Sequence, residues 1–153
     1  MRLGVISDTH GLLRPEALAA LRGVDHLLHA GDVGDPEILY TLATLAPVTA
    51  VRGNIDVAGP CANLPATEMI ELDGHTVYML HIREELDLLP EAAGVQLLVY
   101  GHSHRPALES RNGVLYLNPG SAGPRRFQLP VTVALVDLTA DGIRARIVPL
   151  LTP

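Results

Sequence analysis

The sequence predicts an α/β fold in which two mixed β-sheets pack together with helices outside. Two observations predict it. The first third alternates strand-length apolar runs with segments carrying helix caps, the pattern of parallel strands joined by right-handed crossovers. The remainder instead holds pairs of strand-length runs around tight turns, Asp73-Gly74, Asn112-Gly113 and Ala140-Asp141-Gly142, which read as antiparallel hairpins.

Taken in order, Arg2 to Ser7 is an apolar run ending in the polar turn Asp8-Thr9-His10-Gly11, and so a buried strand. Arg14 to Arg22 reads as a helix, with Pro15 in its first turn and Gly23 ending it. Asp25 to Ala30 is the second strand, followed by Gly31-Asp32. Asp35 to Leu45 is a second helix, capped by Asp35 with Pro36 and Glu37 in its first turn. Pro47 to Val51 is a third strand, running into Arg52-Gly53-Asn54. Thr67 to Leu72 and His75 to Leu80 form the first hairpin, with His81 at its end. Glu84 to Ala93 has helical composition, interrupted by Pro90. Gln96 to Tyr100 is a strand running into Gly101-His102-Ser103-His104. Ala107 to Arg111 and Val114 to Leu117 form the second hairpin, and Asn118-Pro119-Gly120-Ser121 is a turn. Val131 to Leu138 and Ile143 to Leu150 close the chain.

The 153 residues form one domain, 1–153, large enough for a real core, and 48% hydrophobic with 18% charged residues is a globular composition. Aromatics are 3%, so Leu, Val, Ile and Ala must build that core. A net charge of −6 argues against duplex nucleic acid as a partner. The chain has no Lys, which excludes Schiff-base chemistry and a phosphate-loop lysine. Cys61 is alone, so no disulfide framework or thiolate metal site is expected. No run is long enough to span a membrane, and Asp8 interrupts any signal-peptide core. The expectation is a cytoplasmic protein without a membrane partner, with a homo-oligomer compatible.

Seven residues collect at predicted strand ends: Asp8, His10, Asp32, Asn54, His81, His102 and His104. Two carboxylates, one amide oxygen and four imidazoles suit borderline divalent ions. Seven ligands exceed the needs of one ion and divide over two, with one carboxylate bridging. Two such ions carry four positive charges against two carboxylates, leaving a net positive pocket for an anionic substrate. A phosphate could bridge them, and a shared water would be acidified into an in-line nucleophile.

The motifs Asp8-Thr9-His10, Gly31-Asp32, Gly53-Asn54, His81 and Gly101-His102-Ser103-His104 resemble, in order and over residues 3 to about 125, the calcineurin-like metallophosphoesterase superfamily. The short length, the Asn118-Pro119-Gly120-Ser121 turn and the lack of a cap region resemble its small bacterial and archaeal phosphodiesterase branch. The resemblance implies the metallo-dependent phosphatase fold, a four-layer αββα sandwich. It also implies a dinuclear centre in which Asp8, His10, Asp32 and His104 hold one ion. Asp32 as bridge, Asn54, His81 and His102 then hold the other. The ions expected are two divalent cations per chain, Mn²⁺ foremost, with Zn²⁺, Fe²⁺, Ni²⁺, Co²⁺ and Mg²⁺ compatible. All seven residues are thereby expected to be catalytic as well as metal-binding.

Two positions depart from the family. Larger members carry a His after Gly-Asn that serves the leaving group, where this chain has Ile55. Members usually have Gly after the hairpin-end His, where this chain has Ile82. Without a general acid at Ile55, leaving groups needing little protonation are favoured. The expected activity is hydrolysis of small or nucleotide-like phosphodiesters. The competing readings are a phosphomonoesterase and a non-catalytic scaffold on the same fold, like the retromer scaffold subunit that resembles this branch. Among lesser candidates, His29 is assigned a supporting or structural place, His26 and His75 solvent-facing or ordinary strand positions, and Thr9, Gly11 and Ser103 the shaping of turns. Asp56 is assigned to orienting Arg52 or the Asn54 turn. For Arg125 and Arg126, a phosphate clamp and a solvated basic pair both stay open.

Overall fold

A computed structural model describes residues 1–151, and the architecture it shows is two five-stranded mixed sheets packed face to face. β1 (Arg2–Ile6), β2 (His26–His29) and β3 (Val48–Ala50) run parallel. β9 (Thr132–Thr139) joins β1 antiparallel and pairs with β10 (Gly142–Pro149), giving the order β10-β9-β1-β2-β3. The second sheet, ordered β4-β5-β6-β8-β7, comprises β4 (Thr67–Leu72), β5 (His75–Leu80), β6 (Leu97–Val99), β7 (Ala107–Arg111) and β8 (Val114–Asn118). Its central strands β5, β6 and β8 are parallel, and β4 and β7 pair antiparallel at its edges. Both Asx-Gly hairpins turn as the sequence predicts. Asp73 and Gly74 have φ of 49° and 80°, and Asn112 and Gly113 have 51° and 81°, the two left-handed residues that let a two-residue turn match strand twist.

Alternation along the strands builds three apolar clusters. Leu3 and Val5 of β1, Leu28 of β2, Val77 and Met79 of β5 and Leu117 of β8 fill the space between the sheets. On the outer face of the first sheet, Ile6 and Leu27 pack against Ala17 and Leu21 of α1 (Pro15–Leu21) and Ile38 and Leu42 of α2 (Pro36–Ala43). Both helices carry Pro in the first turn, and Asp35 Oδ1 caps α2 by accepting from Glu37 N at 3.0 Å.

The outer face of the second sheet differs from expectation. The predicted helix over Glu84 to Ala93 does not form: one 3-10 turn, Arg83–Glu85, is followed by irregular chain and then a hydrogen-bonded turn over 90–94, in which Ala93 N donates to Leu89 O at 3.1 Å. Leu86 and Leu88 pack on Tyr78, Tyr100 and Tyr116, a spacing of two that extended backbone presents to one side and a helix does not. The Arg83 guanidinium lies 4.5 Å from the Tyr116 ring centroid and also bonds Glu109. Packing on that aromatic face, with Pro90 blocking helix propagation, outweighs helical composition. Among the described residues no helix is long and apolar enough to cross a membrane.

Candidate metal centre

All seven predicted residues lie just past the ends of β1, β2, β3, β5 and β6, at one edge of the two sheets. The loops that carry them are hydrogen-bonded to one another. Asp8 N donates to Gly31 O (3.0 Å), His10 N to Asp32 O (2.9 Å), Gly101 N to His81 O (3.0 Å) and Ala122 N to Ser7 O (3.1 Å). This continues the strand ladders into the loops and leaves little freedom in where each side chain emerges.

Two groups of side chains result. Asp8, His10 and His104 present ligand atoms within 4.8 Å of one another, as do Asp32, His81 and His102. The groups touch. His10 Nε2 lies 3.4 Å and His81 Nε2 3.3 Å from Asp32 Oδ2, while His104 Nε2 is 3.4 Å from Asp8 Oδ1. Asn54 joins the second group through its Oδ1, 3.1 Å from His102 Nδ1. Asp8, Asp32, His81 and His104 are buried, His10 is half-buried, and Asn54 and His102 open to solvent. The cluster therefore has a closed floor and an open side.

The chemistry of the donors fits divalent ions. Asp8 Oδ1, His10 Nε2, His81 Nε2 and His104 Nδ1 are buried with no hydrogen-bond partner, a costly condition. A cation between Asp8 Oδ1 and the His10 and His81 Nε2 atoms, 3.8 and 3.7 Å from it, would relieve this for those three. Other atoms of the same side chains are held firmly. His81 Nδ1 donates to Ala30 O at 2.7 Å, which fixes the tautomer and aims Nε2 at the carboxylates. Asp8 Oδ2 accepts from Ser7 Oγ (2.9 Å) and His102 N (3.1 Å), and Asp32 Oδ1 accepts from Ile55 N (3.0 Å). Burial alone would lift the Asp32 carboxyl, but hydrogen bonds from His81 and Ile55 N hold it below its usual value. Burial likewise pulls His81 down, and its contacts with Asp32, Asp8 and Ala30 O outweigh this and raise it. His104 is lowered, by burial first.

Local backbone strain marks the same residues. Asp8, His10, Asp32, His102 and His104 all have φ between 46° and 74°, a left-handed conformation that costs roughly 1 kcal/mol or more each outside glycine. Gly53 and Gly101 are required by close approach. A Cβ on Gly53 would overlap Asp32 Oδ1, and one on Gly101 would overlap Ser7 Oγ and reach within 2.8 Å of Asp8 Oδ2. Ile82 has φ of −109°, an ordinary value that needs no glycine, and His81 keeps its place beside Asp32.

The supporting residues are only partly those the sequence suggests. Asp56 is buried and does not bond Arg52. Its Oδ2 accepts from Gly53 N (2.8 Å) and Val33 N (3.1 Å) and its Oδ1 from Gly34 N (3.0 Å), joining the loops after β2 and β3. Asn118 Nδ2 donates to Gly101 O and Ser103 Oγ, both at 3.1 Å, bracing the turn that carries His102 and His104. Ser121 Oγ donates to Asp8 O at 2.9 Å. Asn118 and Ser121 are visible in the sequence only as members of a turn. His26 and His75 are strand residues bonded to Thr49 Oγ1 and Asp73 O. Arg125 and Arg126 are exposed.

The calcineurin-like phosphoesterase superfamily domain matches residues 1–141. The chain belongs to this superfamily. It is 37% identical to a probable metallophosphoesterase of Methanocaldococcus jannaschii over 98% of this chain and 82% of the relative. It is 30% identical to the phosphodiesterase YfcE of Escherichia coli, over 90% and 88% of the two chains. Among solved structures, Vps29 of Chaetomium thermophilum shares the fold with a TM-score of 0.78 at 20% identity, covering 100% of this chain and 98% of that one.

Proposed function

We propose that this protein is a metal-dependent phosphodiesterase acting on small or nucleotide-like phosphodiesters through a dinuclear centre. The observation that carries the reading is the pair of touching ligand groups in which the buried, unpartnered His10 Nε2 and His81 Nε2 converge on the equally unpartnered Asp8 Oδ1, at 3.8 and 3.7 Å. Asp8, His10, Asp32 and His104 hold one divalent ion, and Asp32, Asn54, His81 and His102 the other. Such ions supply Lewis-acid polarisation of a phosphoryl oxygen and acidification of water.

The rest of the work falls to the chain. Asp32 is kept ionised by His81 and by the Ile55 amide, so it is ready to ligate at neutral pH. The His81 Nδ1–H bond to Ala30 O presents its other nitrogen as a donor pair once a cation replaces the proton. The exposed side, with Asn54 and His102, admits substrate, and a cavity of about 260 Å³ adjoins it between Asn54, His81, Ile82 and Arg52. Ile55 contributes its backbone N–H, and its partly exposed side chain has no proton to give. A diester with a weakly basic leaving group fits this better than a monoester.

The test is metal content together with Mn²⁺-dependent hydrolysis of bis(p-nitrophenyl) phosphate. About two ions per chain and turnover are expected. Asp32→Ala and His104→Ala should each lower kcat/KM by more than about a hundredfold, beyond the cost of losing an outer-shell partner. p-Nitrophenyl phosphate should be the poorer substrate. A protein that takes up no metal and turns over neither ester would instead be a scaffold on this fold.

A further inference from the structure

Among the described residues eight non-glycine positions have left-handed φ. Five belong to the metal centre and two to the Asx-Gly hairpins. The eighth is Phe127, at φ 54°, a conformation that bulky side chains rarely adopt. It is the only Phe of the chain and is 94% exposed. Its segment is built rather than loose. Arg14 Nη2 ties the loop's start by donating to Gly123 O at 3.2 Å. Leu129 N donates to Arg126 O at 3.1 Å, and Arg125 Nε to Leu129 O at 3.3 Å, closing a turn with Phe127 on it.

The ring faces an open groove of about 620 Å³ lined by Arg105, Phe127, Gln128 and Leu129. Arg105 directly follows His104, so the groove adjoins the candidate metal cluster on its His104 side. Arg2, Arg83 and Arg111 are each paired with a carboxylate of the chain. Among the described residues the other eight arginines form no such pair, and of these Arg105 lines the groove. The Arg105 guanidinium and the exposed Phe127 ring, lining one groove, complement an anionic ligand with a flat, stackable part.

We propose that Phe127, with Arg105, forms a nucleotide subsite in which the ring stacks on a base while the guanidinium holds its phosphate toward the metal centre. This rests on the phosphodiesterase reading and names the substrate class as nucleotide phosphodiesters. The position also explains an exposed aromatic with left-handed φ, which the fold itself does not need.

The experiment compares two chromogenic diesters with one leaving group, thymidine 5′-(p-nitrophenyl phosphate) and methyl p-nitrophenyl phosphate. Phe127→Ala should lower kcat/KM about tenfold on the thymidine ester and leave the methyl ester unchanged, whereas Phe127→Trp should retain both. The chain has no Trp, so Phe127→Trp also adds a single indole. Thymidine 5′-monophosphate should quench its fluorescence saturably, less so at high salt, and inorganic phosphate should not. Equal losses on both esters, or no quenching, overturns the subsite. Absent quenching with a concentration-dependent dimer that Phe127→Ala abolishes assigns the ring to contact between copies. Saturable quenching in a protein that hydrolyses neither ester keeps the subsite and sinks the hydrolase reading.

Discussion

The ring of His29 is fully buried beside the loop that carries Asp8 and His10, and its hydrogen bonds determine its protonation. Gly31 N donates to Nδ1 at 3.1 Å, so Nε2 carries the proton and donates to Thr9 Oγ1 at 3.0 Å, which in turn donates to Val33 O at 2.8 Å. Every partner suits a neutral ring, and burial pushes its pKa down to about 4. An unfolded histidine titrates near 6.5, so the unfolded chain takes up a proton first as pH falls. The stability carried by neutral His29 is complete above about pH 6.5 and lost progressively towards pH 4, amounting to about 3 kcal/mol. Urea unfolding of the metal-free protein at pH 7 and pH 4.5 should show this slope, and His29→Gln should flatten it. An equal slope in the variant would assign the acid sensitivity to other groups. The supporting place expected for His29 is met by its bond to Thr9, in the loop between Asp8 and His10.

Between elements, Asp56 fastens the loop after β2 to the loop after β3 through three backbone N–H groups. Asp56→Ala leaves those donors unpaired, at about 1–3 kcal/mol for each buried one, so a loss of about 3 kcal/mol is expected. The Asp32 and Asn54 loops would then separate, and metal affinity should fall about 10- to 100-fold, as for other outer-shell losses. Denaturant unfolding measures the first and calorimetric titration with Mn²⁺ the second. Unchanged affinity in a destabilised variant would make Asp56 a purely structural brace. The same scale shows where local reading fails. The β1, β2 and β5 runs and both hairpins are legible because alternation and Asx-Gly turns are local signals. The segment 84–93 is not legible, because its conformation is set by Tyr78 on β5, Tyr100 just past β6 and Tyr116 on β8.

For the whole molecule, the two sheets converge on a cluster that is under-satisfied without cations. Ions that bind only the folded chain add about 2.7 kcal/mol per site at a hundredfold excess over Kd. For a domain of this size that is roughly 5–10 °C per site. Calorimetric scans with Mn²⁺ and with chelator should differ by at least this amount, and a midpoint indifferent to chelator would argue against metal binding at the cluster. The residues to mutate first are readable from the sequence because each ligand sits at the end of an apolar run. In a mixed α/β fold such ends gather at one edge.

By itself the sequence determined the α/β class, the hairpin turns, both helix starts and the seven candidate ligands, since these depend on periodicity, capping and short motifs that act within a few residues. Only the tertiary structure decided the rest. It grouped the candidate ligands as Asp8-His10-His104 and Asp32-His81-His102, gave Asp56 and Asn118 their bracing contacts, and replaced a helix with chain laid on an aromatic face. It also placed Phe127 in solvent, on a groove shared with Arg105. Each of these is a contact between residues far apart in the chain, where burial and hydrogen-bond satisfaction across sheets outweigh local propensity.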